Sequence, residues 1–505
     1  MSNQNARFDA IVAFVEPGTP STGTFEIDRF VGDKYGRVSP PPPSAYNTID
    51  WSWYQPSGSN VSGHYFANKA PGTILIGASV YRLLYTIEGW AGIRQTDPKV
   101  TEINLYLINL VVSVLFGALG IVFFRRLLLL SGASEQQALF ISLTLAFATM
   151  LFPYNTQMWG HPTAAAFSIL ALYAAVRATN RWLFLSGMFA GLVVLTDYLG
   201  FLTVLILGIY ALISQPKRCL LYVLGGVMPL LIFMVYHLSC FGSAFSLATD
   251  YTNQAFLEKD RFLGLLGAVK VDSLLALLFS RYRGLLVQMP VLVFSISGIV
   301  IWLIRRRTDK LGWLCLAGVL LYLLVNASFN GWHGGATACA RYQILALPFW
   351  VLCLKAIPWR GAWRIGLIVV AAISAGNMLT VAAVSPTVPD WHESKHAAPP
   401  EYYNPFWVPD DTEPATQPSQ LFYDSVYGWT YDQFAKGNLA AAVTQPYYKL
   451  DINQRALWHP TNAGLLLGLK GHLSLVPLAI VSIVVCTLLF LMTAGGAKKK
   501  TNDLT

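Results

Sequence analysis

Two acidic stations and one lysine element stand in order in the first hundred residues. Phe25-Glu26-Ile27-Asp28 comes first, then Thr48-Ile49-Asp50-Trp51, then Gly63-His64-Tyr65-Phe66-Ala67-Asn68-Lys69-Ala70-Pro71-Gly72. A carboxylate can take a proton from an acceptor hydroxyl. A lysine can hold a phosphate as it leaves. Because Lys69 opens directly into an apolar run at 71–87, the phosphate it suits is one carried on a lipid. Acids in a soluble loop also serve simply to keep it solvated, which is the commoner role of any single aspartate.

Three further clusters fall at predicted helix ends. They are Trp159-Gly160-His161-Pro162, then Ser280-Arg281-Tyr282-Arg283-Gly284-Leu285, then Phe329-Asn330-Gly331-Trp332-His333-Gly334-Gly335 leading to Arg341-Tyr342. Helix N-terminal amides together with these arginines make an anion site at a bilayer surface. A snorkelling anchor is the other role open to each arginine. Asp197 is the only acid near the middle of the apolar sequence, and a carboxylate inside a membrane is a functional candidate by default. It falls in Asp197-Tyr198-Leu199-Gly200, which reads as a helix break near the surface, where the side chain caps the following turn. His161 and His333 have no partner at metal-ligand spacing and read as polar tips at an interface. The six cysteines form no CxxC pair and read as small buried hydrophobes.

The elements that position these groups are membrane helices. Of 505 residues 54% are hydrophobic and 12% charged, half the charge of an ordinary soluble chain. Spanning runs are predicted at 102–124, 138–155, 162–178, 219–239, 284–304, 311–327, 343–357, 365–384 and 473–494, and two short helices lie within 183–213. That gives eleven spans. Arg125, Arg126, Arg177, Arg181, Lys217, Arg218, Arg305, Arg306, Arg307, Lys310, Lys355, Arg360, Arg364, Lys498, Lys499 and Lys500 all fall on one side. With Glu135, Asp309 and Asp503 that side nets +13, against −4 for everything else. The overall charge of +9 is therefore the positive-inside asymmetry of a membrane protein, not the footprint of a nucleic acid. The candidate groups collect on the opposite, outer side.

The expected division is a first outer loop at 1–101, a helical bundle at 102–384, an aromatic-rich outer segment at 385–470, and a final span with a basic tail at 471–505. In the first loop Phe8, Ile11, Val12 and Val15 follow the spacing of an amphipathic helix ending at Pro17-Gly18, and the proline run 40–43 enforces an extended turn. The apolar runs 71–87 and 263–279 break the alternation if they cross, so both are expected to be interfacial or re-entrant. The segment 385–470 carries 14 aromatics, among them Trp391, Tyr402, Tyr403, Phe406, Trp407, Trp429 and Trp458, enough for a small packed cap. Residues 1–69 hold no spanning segment, yet parity puts them outside. The natural gene is expected to begin upstream and to encode one more helix, a twelfth.

These residues resemble the GT-C class of membrane glycosyltransferases, which use polyprenyl-phosphate-linked sugars, and within it the bacterial branch of protein mannosyltransferases and the lipid A aminoarabinose transferase. The resemblance covers nearly the whole chain, and His64 to Gly72 is its most specific piece. It implies an all-α, GT-C-like helical bundle in a bacterial cytoplasmic membrane with its active site facing outside. The implied reaction is inverting transfer of a sugar from a polyprenyl-phosphate donor to a glycan, lipid or protein acceptor, with no nucleotide sugar, no firm cofactor and a divalent metal optional. Lys69 takes the family's donor-phosphate role, joined by Arg281, Arg283 and Arg341. His64, Tyr65, Asn68, His161, Asp197, Trp332, His333 and Tyr342 are expected to line the substrates. The family's acidic pair is missing here, so the catalytic base is divided between Asp28, nearer the family position, and Asp50. We lean to Asp50 because Trp51, Trp53 and Tyr54 beside it could stack on a sugar ring. A transporter or flippase of lipid-linked saccharides is the rival reading; it predicts ionisable groups at midplane and paired inverted halves, and the sequence shows neither.

Overall fold

A computed structural model describes residues 2–17, 23–31, 48, 50–56, 63–94, 97–252, 261–262, 264–280, 282–335, 337–387, 425–439, 464 and 467–480. The chain enters through helix α1 (Ser2–Val15), then a hairpin of β1 (Trp51–Tyr54) and β2 (His64–Ala67), then α2 (Gly72–Trp90). The hairpin is the only sheet among the described residues, antiparallel with Trp51 opposite Ala67 and Tyr54 opposite His64. The bundle follows: α3 (Pro98–Asn109) runs through a π-helical turn (Leu110–Leu115) into α4 (Phe116–Leu130). Next come α5 (Glu135–Phe147), α6 (Leu151–Asn155), α7 (Gly160–Arg177), α8 (Asn180–Thr196), α9 (Phe201–Ser214) and α10 (Cys219–Phe241). The remainder is α11 (Val271–Phe279), α12 (Leu285–Gln288), α13 (Val291–Arg305), α14 (Lys310–Ser328), α15 (Leu347–Leu352), α16 (Gly361–Val384) and α17 (Ser425–Ala435).

Among the described residues four helices are long and apolar enough to cross a membrane: Lys99–Leu130, α10, α14 and α16. Shorter apolar helices (α8, Tyr198–Ser214, α13 and Gly471–Ile480) accompany them. Several runs expected as continuous spans are broken. The run 138–155 is interrupted between Phe147 and Leu151, the run 284–304 at Met289-Pro290, and 343–357 is a 3-10 turn, the short α15 and another 3-10 turn. The reason is burial: α15 is sealed on all sides by protein, and irregular backbone is tolerated at membrane depth when protein, not lipid, surrounds it. The pair within 183–213 breaks where expected, at Asp197. The run 263–279 yields only the nine-residue α11. In α2 the first turns are buried, while Leu83, Ile87 and Trp90 face outward.

The expected amphipathic surface helix at the N-terminus is corrected. α1 is buried on nearly every side, polar residues included, and only Phe14 among its large apolar residues is exposed. Its polar side faces protein rather than water: Gln4 accepts from the Met158 amide, and Arg7 reaches the Ala70 carbonyl and the Thr73 hydroxyl.

Hydrogen bonds among loops define two ends of the bundle. Arg218 donates to the Ala178 carbonyl, Lys310 to Ile213, Lys355 to Ser131, and Gln137 to Lys355 and Ile357. All the described basic loops therefore meet at one end, as the charge asymmetry requires. At the other end β1–β2 packs beside α10, where a Cβ on Gly242 would strike the Tyr54 hydroxyl, and Gly72 meets Thr196.

α8 and α10 approach backbone to backbone through small residues, as membrane helices commonly do. A Cβ on Gly187 would lie 1.7 Å from the Tyr222 carbonyl oxygen, and one on Gly225 1.9 Å from that of Phe184. Gly225→Leu is therefore expected to cost about 3 kcal/mol by overpacking. Gly376→Ala in α16, where an added Cβ meets nothing within 4 Å, is expected to cost nothing. Thermal unfolding of the two purified variants in one detergent checks the contrast.

Candidate functional site

The open end of the hairpin brings the second acidic station and the lysine element together. Asp50 precedes β1 and Lys69 follows β2, and the Asn68 amide donates to the Asp50 carbonyl across the ladder. This register brings the Lys69 ammonium to 2.9 Å from the Asp50 carboxylate, with the two side chains only 16% and 17% exposed. The two residues given separate roles from sequence are an ion pair. Burial alone pushes the Asp50 carboxyl up, but Lys69, by charge and hydrogen bond, with Arg341 and Arg7 behind it, holds it below the usual aspartate value. Burial and the two arginines lower Lys69 despite Asp50.

Arg7 was missed by the sequence reading. It lies on α1, off the apolar stripe of Phe8, Ile11, Val12 and Val15, and no motif marks it. Its guanidinium interacts with Asp197, Asp50 and Arg341, and burial brings it down to about 10. The N-terminus of α7 closes on it, since a Cβ on Gly160 would sit 2.8 Å from Arg7 Nη2.

Arg341 completes the group. It lies over Trp159 at 4.8 Å and Tyr342 at 4.9 Å, and donates to the Tyr342 hydroxyl at 3.1 Å. Its buried Nε has no hydrogen-bond partner among the described residues. Asp197 caps the break after α8, accepting from the Leu199 amide at 3.0 Å. Its other oxygen bonds His161 Nδ1, so His161 is a buried partner of Asp197 and not the expected interfacial tip. The His161 ring in turn meets Tyr342 edge-on at 5.7 Å. Arg7, Lys69 and Arg341 thus face Asp50 and Asp197, three cations against two carboxylates, from five different segments.

Asp28 lies toward the other end of β2. It accepts from the Tyr65 amide at 3.3 Å and contacts His64 Nδ1 at 3.3 Å, and Glu26 is 4.0 Å from the same nitrogen. Burial raises the Asp28 carboxyl above the usual value, against the lowering effect of His64. Glu26, Asp28 and His64 bring one ligand atom each to within 4.8 Å of one another, so this is the place among the described residues able to hold a divalent cation.

Other expected residues have different duties. Arg283 is fully buried and its guanidinium is spent on three main-chain carbonyls, of Tyr282, His333 and Gly335. It holds the 333–335 turn and is not free to bind a donor phosphate. Trp332 and His333 lie edge-on to each other, both against Tyr282, and His333 Nδ1 accepts from the Gly335 amide. The Tyr65 side chain, 2% exposed, packs against Trp51 and Trp53, and Tyr54 packs on Phe241 and Tyr251. These rings form the hairpin's own core, which removes Tyr65 and Trp51 from the substrate lining. Asn68 ties the hairpin to Thr252 at 2.7 Å. Arg281, the proline run, Trp391, Tyr402, Tyr403, Phe406, Trp407 and Trp458 lie outside the described residues. Of the aromatic segment, α17 is seen packed on α16, with Tyr431 bonded to Asn377.

Fold and site define a helical membrane protein with a buried, net-positive charge cluster at the end of its bundle opposite the basic loops. The chain matches no family model, no curated protein and no solved structure.

Proposed function

We propose that this protein is a membrane glycosyltransferase that moves a sugar from a polyprenyl-phosphate donor to an acceptor hydroxyl with inversion. The observation that carries the reading is the excess cation of the Arg7–Lys69–Arg341 group, with a buried Arg341 Nε lacking an acceptor among the described residues. A bound phosphate supplies the missing negative charge, and a buried cationic site stabilises it further as the glycosidic bond breaks.

The geometry favours Asp28 over Asp50 as the base. In an inverting displacement the nucleophile enters opposite the leaving group, so base and leaving-group cation stand on opposite sides of the sugar. A carboxylate in contact with Lys69 cannot do this. Asp28 bonds the Tyr65 amide, four residues before Lys69, a separation on the order of 10 Å along β2 and the bend after it. Asp28 then takes the acceptor proton, and His64 beside it offers a route onward to solvent. Asp50 keeps Lys69 charged and aimed. In this reading the chain sits in a bacterial cytoplasmic membrane, with this end of the bundle outside and further spans beyond the four long ones. Any divalent cation at Glu26, Asp28 and His64 would be optional to the step.

The test is release of free polyprenyl phosphate by the purified protein in lipid nanodiscs, given a panel of polyprenyl-phosphate sugars and a membrane extract as acceptor. Release from one donor is the expected result. Undiminished donor with every sugar, alongside donor movement between leaflets, would give the site to a transporter.

A further inference from the structure

The basic end of the bundle holds a cleft of about 240 Å³ with walls from three separate segments. One is the turn 131–133 between α4 and α5. The second is the last turn of α13, with Trp302, Arg305 and Arg306. The third is the 3-10 turn Cys353–Ala356, which carries Lys355. Gly298 seats that turn, because a Cβ there would lie 2.3 Å from the Cys353 carbonyl oxygen.

Lys355 is half-buried and pre-positioned. Its ammonium lies 3.8 Å from the centre of the Trp302 ring and donates to the Ser131 carbonyl at 3.0 Å. Asp309, the acid that interacts with it, is committed to Trp302 Nε1 at 2.9 Å and to the Leu311 amide at 3.0 Å. Among the described residues no carboxylate lies within ion-pair distance of Arg305, Arg306 or Lys355. Positive-inside loops require cations, but they do not require one wedged against a buried tryptophan in the wall of a cleft. Beside the cleft, Val293, Ile296, Val300 and Ile304 form an exposed apolar stripe along α13, at i, i+3, i+7 and i+11. A stripe of this kind on a membrane helix faces acyl chains.

We propose that this cleft binds the phosphate headgroup of an anionic membrane lipid, held by Arg305, Arg306 and Lys355, with its acyl chains along the α13 stripe. The chemistry is charge-assisted hydrogen bonding to phosphate oxygens at a membrane surface. It is independent of the sugar-transfer site at the other end.

The test is native mass spectrometry of the full chain in neutral detergent, titrated with short-chain phosphatidylglycerol, phosphatidylcholine or inorganic phosphate. Wild type is expected to retain phosphatidylglycerol at least tenfold better than phosphatidylcholine, with millimolar inorganic phosphate failing to displace it. Arg305→Gln, Arg306→Gln and Lys355→Gln combined are expected to weaken retention on the order of 100-fold, at roughly fivefold per cation near a membrane surface. Arg177→Gln with Arg181→Gln removes two charges from the same end and is expected to leave retention unchanged. A loss of about 25-fold in that control, the same roughly fivefold per cation, would show summed surface charge rather than a site and overturn the proposal. Displacement by inorganic phosphate, or no preference over phosphatidylcholine, would overturn it as well. Because the Gln variants keep length and polarity, a folded sample is expected; an unchanged thermal midpoint confirms it, and Lys355→Arg, which keeps the charge, is expected to retain binding within threefold.

Discussion

Lys69→Ala is expected to abolish measurable polyprenyl-phosphate release, a loss of 100- to 1000-fold by the usual worth of one preorganised donor at a developing charge. The same change is expected to lower stability by about 3 kcal/mol, because removing one partner of a buried ion pair leaves the other charged and unsolvated. Asp50 and Lys69 are both less than a fifth exposed and 2.9 Å apart, so neither can regain water without opening the hairpin. The two effects separate in a double variant. Asp50→Asn with Lys69→Gln puts two neutral amides in the same space, so the thermal midpoint should return most of the way to wild type. Release should not return. Recovery of activity in the double variant would mean that Lys69 serves only to neutralise Asp50, and the phosphate role would go to Arg341 and Arg7. A midpoint that stays low would instead point to lost packing around the lysine stem.

The parts of this site that were legible in the sequence are those fixed by short-range chemistry. The break at Asp197 was readable because an acid and Gly200 interrupt an otherwise continuous apolar run, and the side chain caps the next turn as predicted. That the basic loops gather at one end was readable because charge asymmetry needs no tertiary information, and the loop-to-loop hydrogen bonds agree with it. What could not be read is who faces whom. Asp50 and Lys69 are nineteen positions apart in the sequence, and only the hairpin register of Trp51 with Ala67 makes them a pair. His161 lacked any partner at ligand spacing because its partner, Asp197, arrives from the far end of the next helix. Arg283 looked like an anion ligand because its type and place at a helix start fit one. Three carbonyls from its own and a neighbouring turn consume it instead, a use of arginine that leaves no trace in spacing. Arg7 was invisible for a related reason: a single cation in a short polar helix reads as solvated until tertiary packing buries that helix against α2 and β2.

Asp28→Asn is expected to cost 100- to 10,000-fold in turnover, the range for removing a general base, while leaving retention of the lipid-phosphate donor within about twofold. The asymmetry follows from placement, since Asp28 lies at the His64 end of β2 and the cation group at the Lys69 end. Asp50→Asn should do the converse and weaken donor retention, because Lys69 loses the anion that keeps it charged in a buried place. The pH profile gives a second readout. A base works only when deprotonated, and burial raises the Asp28 carboxyl above its ordinary value, so kcat/KM should fall as pH drops through a midpoint higher than that of a free aspartate. His64→Gln removes the side chain that opposes this shift, so the midpoint should move further up. Had Asp50 been the base, the acid limb would lie below the ordinary aspartate value and His64 would not move it, because the charges that set Asp50 are Lys69, Arg341 and Arg7. Equal collapse of turnover in Asp28→Asn and Asp50→Asn with unchanged donor retention in both would defeat the assignment, since it would leave the two carboxylates without the separate stations that the hairpin gives them.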